Sequence, residues 1–302
     1  ATTYGSSSVD TDIDGLAIAT IPPAERGRVN GWMQSGMLLG RSLLGGGALL
    51  LAGSFEFSAV LGLLLGCLAL PALLLVFHRE TPAEEEAETQ TVHGPLLLKV
   101  LRQRRTWVAL AFALTGGAAF EALGALAGPW LYDRGFTAGD VGYFFALPVV
   151  AATIAGSLAG GRLADRRGHL RAALLGTCGM VLGVLAVSLV DRPGWYTAAG
   201  GFGGSLHLAL LLLSIQTAYL MLGLFTAASY AWLMDQTEPG LAATQFSAYM
   251  GATNGCEAWA AMAAGVGAKG GSYAAALLVP LAVSTGAAAL LRFFGGQRDS
   301  AD

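Results

Sequence analysis

The sequence predicts an all-α fold, a bundle of helices that crosses a membrane many times. Three observations carry that prediction. First, the chain is 54% hydrophobic and only 12% charged, with a mean hydropathy of +0.59, whereas about a quarter of a soluble domain's residues are charged. Second, its apolar runs reach the roughly 20 residues that a helix needs to cross a hydrocarbon core. Third, its arginines gather in alternate loops, and arginine resists translocation.

Cut at charges and at Gly/Pro punctuation, the apolar runs place the elements in order. The end of a first helix runs to about Ile21, and a loop covers residues 22–28. Full spans are predicted over 30–53 and 57–77. One long polar stretch, 78–105, follows, with acidic Glu84, Glu85, Glu86 and Glu88 and then a basic run from Lys99 to Arg105. Six further spans cover 107–130, 141–163, 172–190, 206–234, 244–267 and 273–294. The prediction is therefore about eight full spans plus one partial. The chain opens on Ala-Thr-Thr-Tyr without methionine or signal peptide, which reads as a chain truncated at its N-terminus.

The basic residues orient the bundle. With the loop after the partial helix on the cytoplasmic side, alternation puts thirteen of the seventeen Lys and Arg residues inside. Only Arg134, Arg192 and Lys269 fall outside, and Arg41 lies within a span. The expected location is the inner (cytoplasmic) membrane, multi-pass, with the 78–105 linker and the C-terminus cytoplasmic. The linker reads as a solvated connector whose basic half can lie on anionic headgroups. Cys67, Cys178 and Cys256 all fall in apolar runs, so they are read as small packing residues and not as a disulfide framework or metal site.

Residues 161–171, Gly-Arg-Leu-Ala-Asp-Arg-Arg-Gly-His-Leu-Arg, make a densely charged turn between two apolar runs. Gly161, Leu163, Asp165, Arg166, Gly168 and Arg171 resemble the signature cytoplasmic loop of the major facilitator superfamily; His169 stands where a basic residue is usual. A hairpin obeying the positive-inside rule is the plainer reading of the same charges. Asp165 is expected to accept from N–H groups at the start of the next helix and to pair with a neighbouring arginine. Such a cluster can latch helices in one transport state and release them in another. The resemblance implies a division into 1–77, the end of an N-terminal six-helix bundle; 78–105, the linker; and 106–302, a C-terminal six-helix bundle.

A second resemblance is narrower. The string from Val9 to Gly31 carries Asp10, Asp14, Glu25, Arg26, Gly27 and Asn30 where the peptide, acetyl-coenzyme A and drug permease branch, AmpG-like muropeptide permeases among it, shows its own aspartates and Pro-x-Glu-Arg-Gly turn. Val9 departs from an expected glutamine and Asp12 from an alanine. The stretch from Met234 to Phe246, ending Ala243-Thr244-Gln245-Phe246, resembles a loop and helix start of the same branch.

Ionisable groups inside spans cost about 2.5–3.5 kcal/mol on insertion scales, so each asks for a reason. Asp10 and Asp14 share a helix face at i, i+4, where repulsion favours one of them holding a proton. They read equally as a polar helix end. Arg41 sits mid-span and must face the bundle interior, against a substrate anion or against Asp14 or Glu121. Glu121 and Glu257 are candidates for proton carriage, or for partnering Arg41. Gly36 and Gly40, a Gly-x-x-x-Gly pair, and Gly45–Gly47 mark a span that allows close backbone approach. Asn30, Gln216 and Gln245 read as hydrogen-bonding links between helices.

The function these observations imply is secondary active transport of an organic solute, such as a muropeptide, by alternating access with proton coupling. Drug or metabolite efflux on the same scaffold is the alternative within transporters. A membrane-embedded enzyme using Asp10 and Asp14 is the alternative class, and a sensor that kept the scaffold is a third. No Gly-x-x-x-x-Gly-Lys-Ser/Thr loop occurs, which argues against an ATP-driven pump. The expected partners are a small-molecule solute, protons and the lipid bilayer, with no nucleic acid, metal or cofactor, and the chain is expected to be a monomer.

Overall fold

The computed structural model describes residues 17–18, 20–40, 56–76, 94–190, 202–238, 240–270 and 272–295. Every regular element among them is helical. A 3-10 turn, Pro23–Glu25, leads into α1, Arg26–Gly40; α2 is Phe57–Val76 and α3 is Gly94–Arg102. Then come α4, Arg104–Thr115, and α5, Ala118–Asp133, which meet at Gly116-Gly117. Helix α6, Ala138–Phe144, passes through a π-helical turn, Phe145–Val149, into α7, Val150–Arg167. The chain continues with α8, His169–Val190; α9, Phe202–Asp235; α10, Ala242–Ala268; α11, Tyr273–Ala276; and α12, Leu278–Phe294.

Among the described residues, five helical segments are long and apolar enough to cross a membrane: Arg104–Asp133, Ala138–Arg167, His169–Val190, Leu206–Asp235 and Tyr273–Phe294. Helix α10, with 27 residues, spans about 40 Å at 1.5 Å per residue. It is less apolar because Gln245, Asn254 and Glu257 interrupt its alanines and glycines. Several helices run about three to four residues past the ends that hydropathy predicted. Arg104, Arg105, Arg166 and Arg167 are helical, since a long side chain carries its charge to water while its backbone stays hydrogen-bonded.

Three expected loops are smaller than the sequence implied. The 22–28 loop shrinks to the 3-10 turn, and α1 already begins at Arg26. The charged turn at 161–171 is almost wholly helical: α7 continues to Arg167, and Gly168 alone leaves the helix, at φ +88°. That conformation suits a residue without Cβ. Charge density marked the surface end of the hairpin, but a single glycine makes the turn. The basic half of the 78–105 connector folds as α3, and its last two arginines open the next span.

Helices α7, α8 and α9 pack on one another, with α1 laid against α7 and α9. Helix α10 packs on α4 and α5, and α12 packs on α4, α5 and α8. The core holds Phe112, Trp130, Met180, Leu211, Phe246 and Tyr249, all essentially inaccessible. Phe112 meets Trp232 edge-on at 5.4 Å between ring centroids. The α7–α9 contact depends on missing side chains. A Cβ on Gly156 would stand 1.9 Å from the Leu220 carbonyl oxygen, and one on Gly223 would stand 2.0 Å from that of Thr153. In lipid, packing of this kind replaces the hydrophobic drive between helices. Gly36 and Gly40, the pair singled out from sequence, have no described neighbour within 4 Å of such an atom. Gly27 and Gly31, one helical face earlier, make the close approach instead. Gly45–Gly47 lie outside the described residues.

Gln245, at the start of α10, ties that helix to α4 and to the α9–α10 loop. Its amide nitrogen lies 2.7 Å from Tyr249 Oη and 3.1 Å from Thr106 Oγ1 of α4. Its Oε1 accepts from the Glu238 N–H at 2.9 Å. Glu238, in the α9–α10 loop, in turn accepts from Lys99 Nζ of α3 at 2.8 Å and from the Arg105 guanidinium. The hydrogen bond from Lys99 is the main cause that holds the Glu238 carboxyl below its ordinary value. A carboxyl so lowered contributes stability above its unfolded pKa and loses it as pH falls through the folded one. We therefore expect acidification, or Glu238→Gln at neutral pH, to free α3 from the loop. Amide hydrogen exchange of α3 should then speed up while that of α9 stays as in the parent; α3 protection unchanged in the variant would contradict the link.

Candidate functional site

Two clusters bring the chemistry of the chain together. The first lies at the end of the bundle that carries Gly161–Arg171. Here α1 begins, and its first N–H groups have no carbonyl one turn back. Asp165 of α7 fills that need: its two oxygens accept from the Gly27 N–H at 2.8 Å and the Arg28 N–H at 2.9 Å. The carboxylate thereby also meets the positive end of the α1 dipole. The approach is possible because both helices lack side chains at the crossing. A Cβ on Gly161 would lie 2.3 Å from the Gly27 carbonyl oxygen, and one on Gly27 would lie 2.5 Å from that of Gly161.

Around this contact sits a chain of charge. His169, the first residue of α8, is 8% exposed. Its Nδ1 stands 2.5 Å from Asp235 Oδ2 at the end of α9, and its Nε2 stands 3.6 Å from Asp165 Oδ1. Arg26 closes the circuit, donating from Nη1 to Asp235 Oδ1 at 3.0 Å and from Nη2 to the Ile18 carbonyl at 3.2 Å. Asn30, one turn on, is buried and donates to the Arg26 carbonyl at 2.8 Å. Four helices, α1, α7, α8 and α9, thus converge on two carboxylates, one imidazole and one guanidinium.

Asp165 does accept from a helix start, as expected, but the helix is α1 and not the following α8. Among the described residues, the side chain paired with it is that of His169 and not of an arginine. Arg166, near the end of α7, and Arg171, in the first turn of α8, are exposed. Within the motif, Gly161 and Asp165 are built into the contact and Gly168 makes the exposed turn after it, while Arg166 and Arg171 are exposed charges nearby. Sequence reasoning missed Asp235 and gave His169 no role. The signal was present, because Arg26, Gly27 and Asn30, the charged motif, and Asp235 each belong to a quoted string, and the fold brings all three strings to one place.

The second cluster surrounds the break between α4 and α5. Interrupting a helix inside a bilayer orphans backbone groups that must find partners within the protein. Side chains of two neighbouring helices supply them. Ser284 Oγ of α12 accepts from the Ala119 N–H at 2.9 Å and donates to the Thr115 carbonyl at 3.3 Å. Trp259 Nε1 of α10 donates to the Leu114 carbonyl at 2.9 Å. Glu121 lies in the first turn of α5, directly after the break. It faces a cavity of about 40 Å³ whose walls include Phe112, Phe225, Ser229, Tyr230, Thr253 and Cys256. That volume holds water-sized groups and no organic solute. Ser229 Oγ is buried there without a hydrogen-bond partner among the described residues.

Glu257, on α10, is exposed and within electrostatic reach of Glu121. The two glutamates singled out from sequence are therefore near one another across α5 and α10. Asp10, Asp14 and Arg41 lie outside the described residues. Of the cysteines, Cys256 is buried while Cys67 and Cys178 are exposed, so packing accounts only for the first. No group of three or more His, Cys, Asp and Glu residues that could hold a metal ion occurs among the described residues.

Discontinuous membrane helices with polar side chains at the break are a feature of solute carriers made of packed membrane helices. The family profile described as Major Facilitator Superfamily matches residues 5–265. That match covers most of the 302 residues, and the chain is a multi-pass membrane protein belonging to the major facilitator superfamily, whose members carry small-molecule solutes.

Proposed function

We propose that this protein is a secondary active transporter that moves an organic solute by alternating access, coupled to protons. The observation that carries this reading is the Asp165 contact. One carboxylate on α7 caps α1, a helix that precedes the 78–105 linker, so it joins the parts we assign to the two six-helix bundles, 1–77 and 106–302. A contact made from backbone N–H groups, glycine surfaces and a few charged side chains, the Arg26–Asp235 pair beside the Asp165 cap among them, can part without leaving a large apolar face exposed to water. Its opening and closing is the motion that alternating access requires. We place this end, the linker and the C-terminus on the cytoplasmic side of the inner membrane, because most of the arginines gather there. About eight full spans and one partial, acting as a monomer, complete the reading.

We assign proton carriage to Glu121, with Glu257 as the charge that tunes it, and keep Asp10, Asp14 and Arg41 as further candidates for proton coupling or substrate contact. An acidic group beside a helix break, in a cavity sized for water, suits proton exchange more than solute contact. The solute we favour is a muropeptide, on the resemblance of the 9–31 and 234–246 strings to AmpG-like permeases. The test is uptake of radiolabelled muropeptide into proteoliposomes under an imposed pH gradient. The reading expects uptake that collapses on adding a protonophore. Uptake indifferent to the gradient removes proton coupling, and no uptake of any peptide-sugar removes the solute class.

A further inference from the structure

The basic run before the span that begins at Arg104 divides into two pairs. Lys99 and Arg105 are occupied, both held on Glu238. Arg102 and Arg104 are exposed and have no carboxylate partner among the described residues. Arg104 is held in place: its guanidinium lies 4.4 Å from the centroid of the Phe294 ring. Phe294 closes the span Tyr273–Phe294 and Arg104 opens the span Arg104–Asp133, so this stacked pair marks the membrane surface. A cation–π contact of this kind fixes the charge while leaving its N–H groups free to donate.

Helix α3 lies beside that mark and has two unlike sides. Val100 is 4% exposed and faces the protein, whereas Leu98 and Leu101 are 59% and 44% exposed. Arg102 shares the Leu98 side, four residues on. Trp107 is 57% exposed, and its indole donates to the Leu101 carbonyl at 2.8 Å. That bond satisfies a carbonyl at the end of α3 and sets the ring beside the leucines, the amphipathic geometry favoured at a headgroup boundary. Leucines bared outside the membrane spans, next to two guanidinium groups with no carboxylate partner among the described residues, match an amphiphile that is anionic at one end and apolar at the other.

We propose that the surface formed by α3 and the start of α4, beside Phe294, binds the headgroup of an anionic phospholipid. The lipid phosphate sits between Arg102 and Arg104 at the kink made by Gln103, and its acyl chains lie along Leu98, Leu101 and Trp107. Glu238 has a part in this selectivity, because by occupying Lys99 and Arg105 it confines the free charge to one spot.

Trp107 provides the readout. The full chain is reconstituted in phosphatidylcholine vesicles containing a fixed share of either dibrominated phosphatidylglycerol or dibrominated phosphatidylcholine, and indole quenching is compared. The Trp107 contribution is the difference between the parent and Trp107→Phe. Stronger quenching of that contribution by the anionic lipid is expected. The preference should weaken about fivefold in Arg102→Gln, since one arginine near an anionic surface is worth about that factor, and vanish in Arg102→Gln/Arg104→Gln. Arg102 is exposed, so the single variant reports on the site without removing a buried group. Equal quenching of the parent by the two lipids overturns the proposal, as does a preference that survives in the double variant. Loss of the preference on adding millimolar inorganic phosphate at constant ionic strength overturns it too, by showing a site for soluble anions.

Discussion

Asp165→Ala is expected to slow net solute transport by about tenfold while leaving the protein folded and able to bind solute. The variant removes the acceptor of two N–H groups at the start of α1, and losing a helix cap costs about 0.5–2 kcal/mol. Because the contact joins α1 to α7, that energy is lost from the closed state of this end and not from either helix bundle alone. A loss near 1.4 kcal/mol is a tenfold shift between the closed and open populations. The same variant should therefore label faster at a cysteine placed on the α7 face that α1 covers. Parent-like labelling together with parent-like transport would show that Asp165 caps α1 without governing the cycle. Asp165→Asn separates the two parts of the effect: it keeps an acceptor and loses the charge facing the helix dipole and His169, so its effect should be intermediate.

Glu121→Gln is expected to abolish accumulation against a gradient while preserving exchange. The substitution keeps the size of the side chain and its place in the first turn of α5. It removes the carboxyl that faces the cavity at the break. A carrier whose coupling is lost still equilibrates its solute, so the accumulation ratio should fall to about one, and counterflow of labelled against unlabelled solute should persist. Loss of both activities would make Glu121 a solute contact or a structural group. Full accumulation would move proton carriage to Asp10, Asp14 or Glu257. Glu257→Gln should have the smaller effect, since Glu257 is exposed and acts on Glu121 only through its charge.

Much of the fold was legible because a bilayer simplifies the reading. Hydrocarbon permits only internally satisfied backbone, so long apolar runs at 107–130, 141–163, 172–190, 206–234 and 273–294 had to be helices, and their order follows from punctuation. Their ends were less legible. Hydropathy stops at the first charge, but a helix does not, and Arg166 and Arg167 continue α7 to a turn made by one glycine. The helix break at Gly116-Gly117 was hidden for another reason. Its satisfaction comes from Ser284 and Trp259, more than 140 residues away along the chain, and nothing local distinguishes that glycine pair from the many others.

The site was partly legible in the same sense. Asp165 and Glu121 stood out because charge is rare here. The partner of Asp165 did not, because it is the backbone of α1 at Gly27 and Arg28, which has no side-chain signature. His169 looked like a departure from a motif, yet it is the buried link between Asp165 and Asp235. A resemblance read as three separate strings contained the answer only once the chain was folded. Gly36 and Gly40, singled out by spacing, meet no described residue, while Gly27, Gly31 and Gly161 carry the contact.

The most direct test is a distance between α1 and α7 in the working protein. Spin labels at Arg28 and Arg166, both exposed, with Cys67, Cys178 and Cys256 replaced, report on the two sides of the Asp165 contact by pulsed electron resonance in proteoliposomes. We expect a short distance at rest and a second, longer one that gains population when muropeptide and a pH gradient are supplied, with Asp165→Ala populating the longer distance from the start. A single unchanging distance in protein that transports at the parent rate would contradict a latch that opens and closes with the cycle.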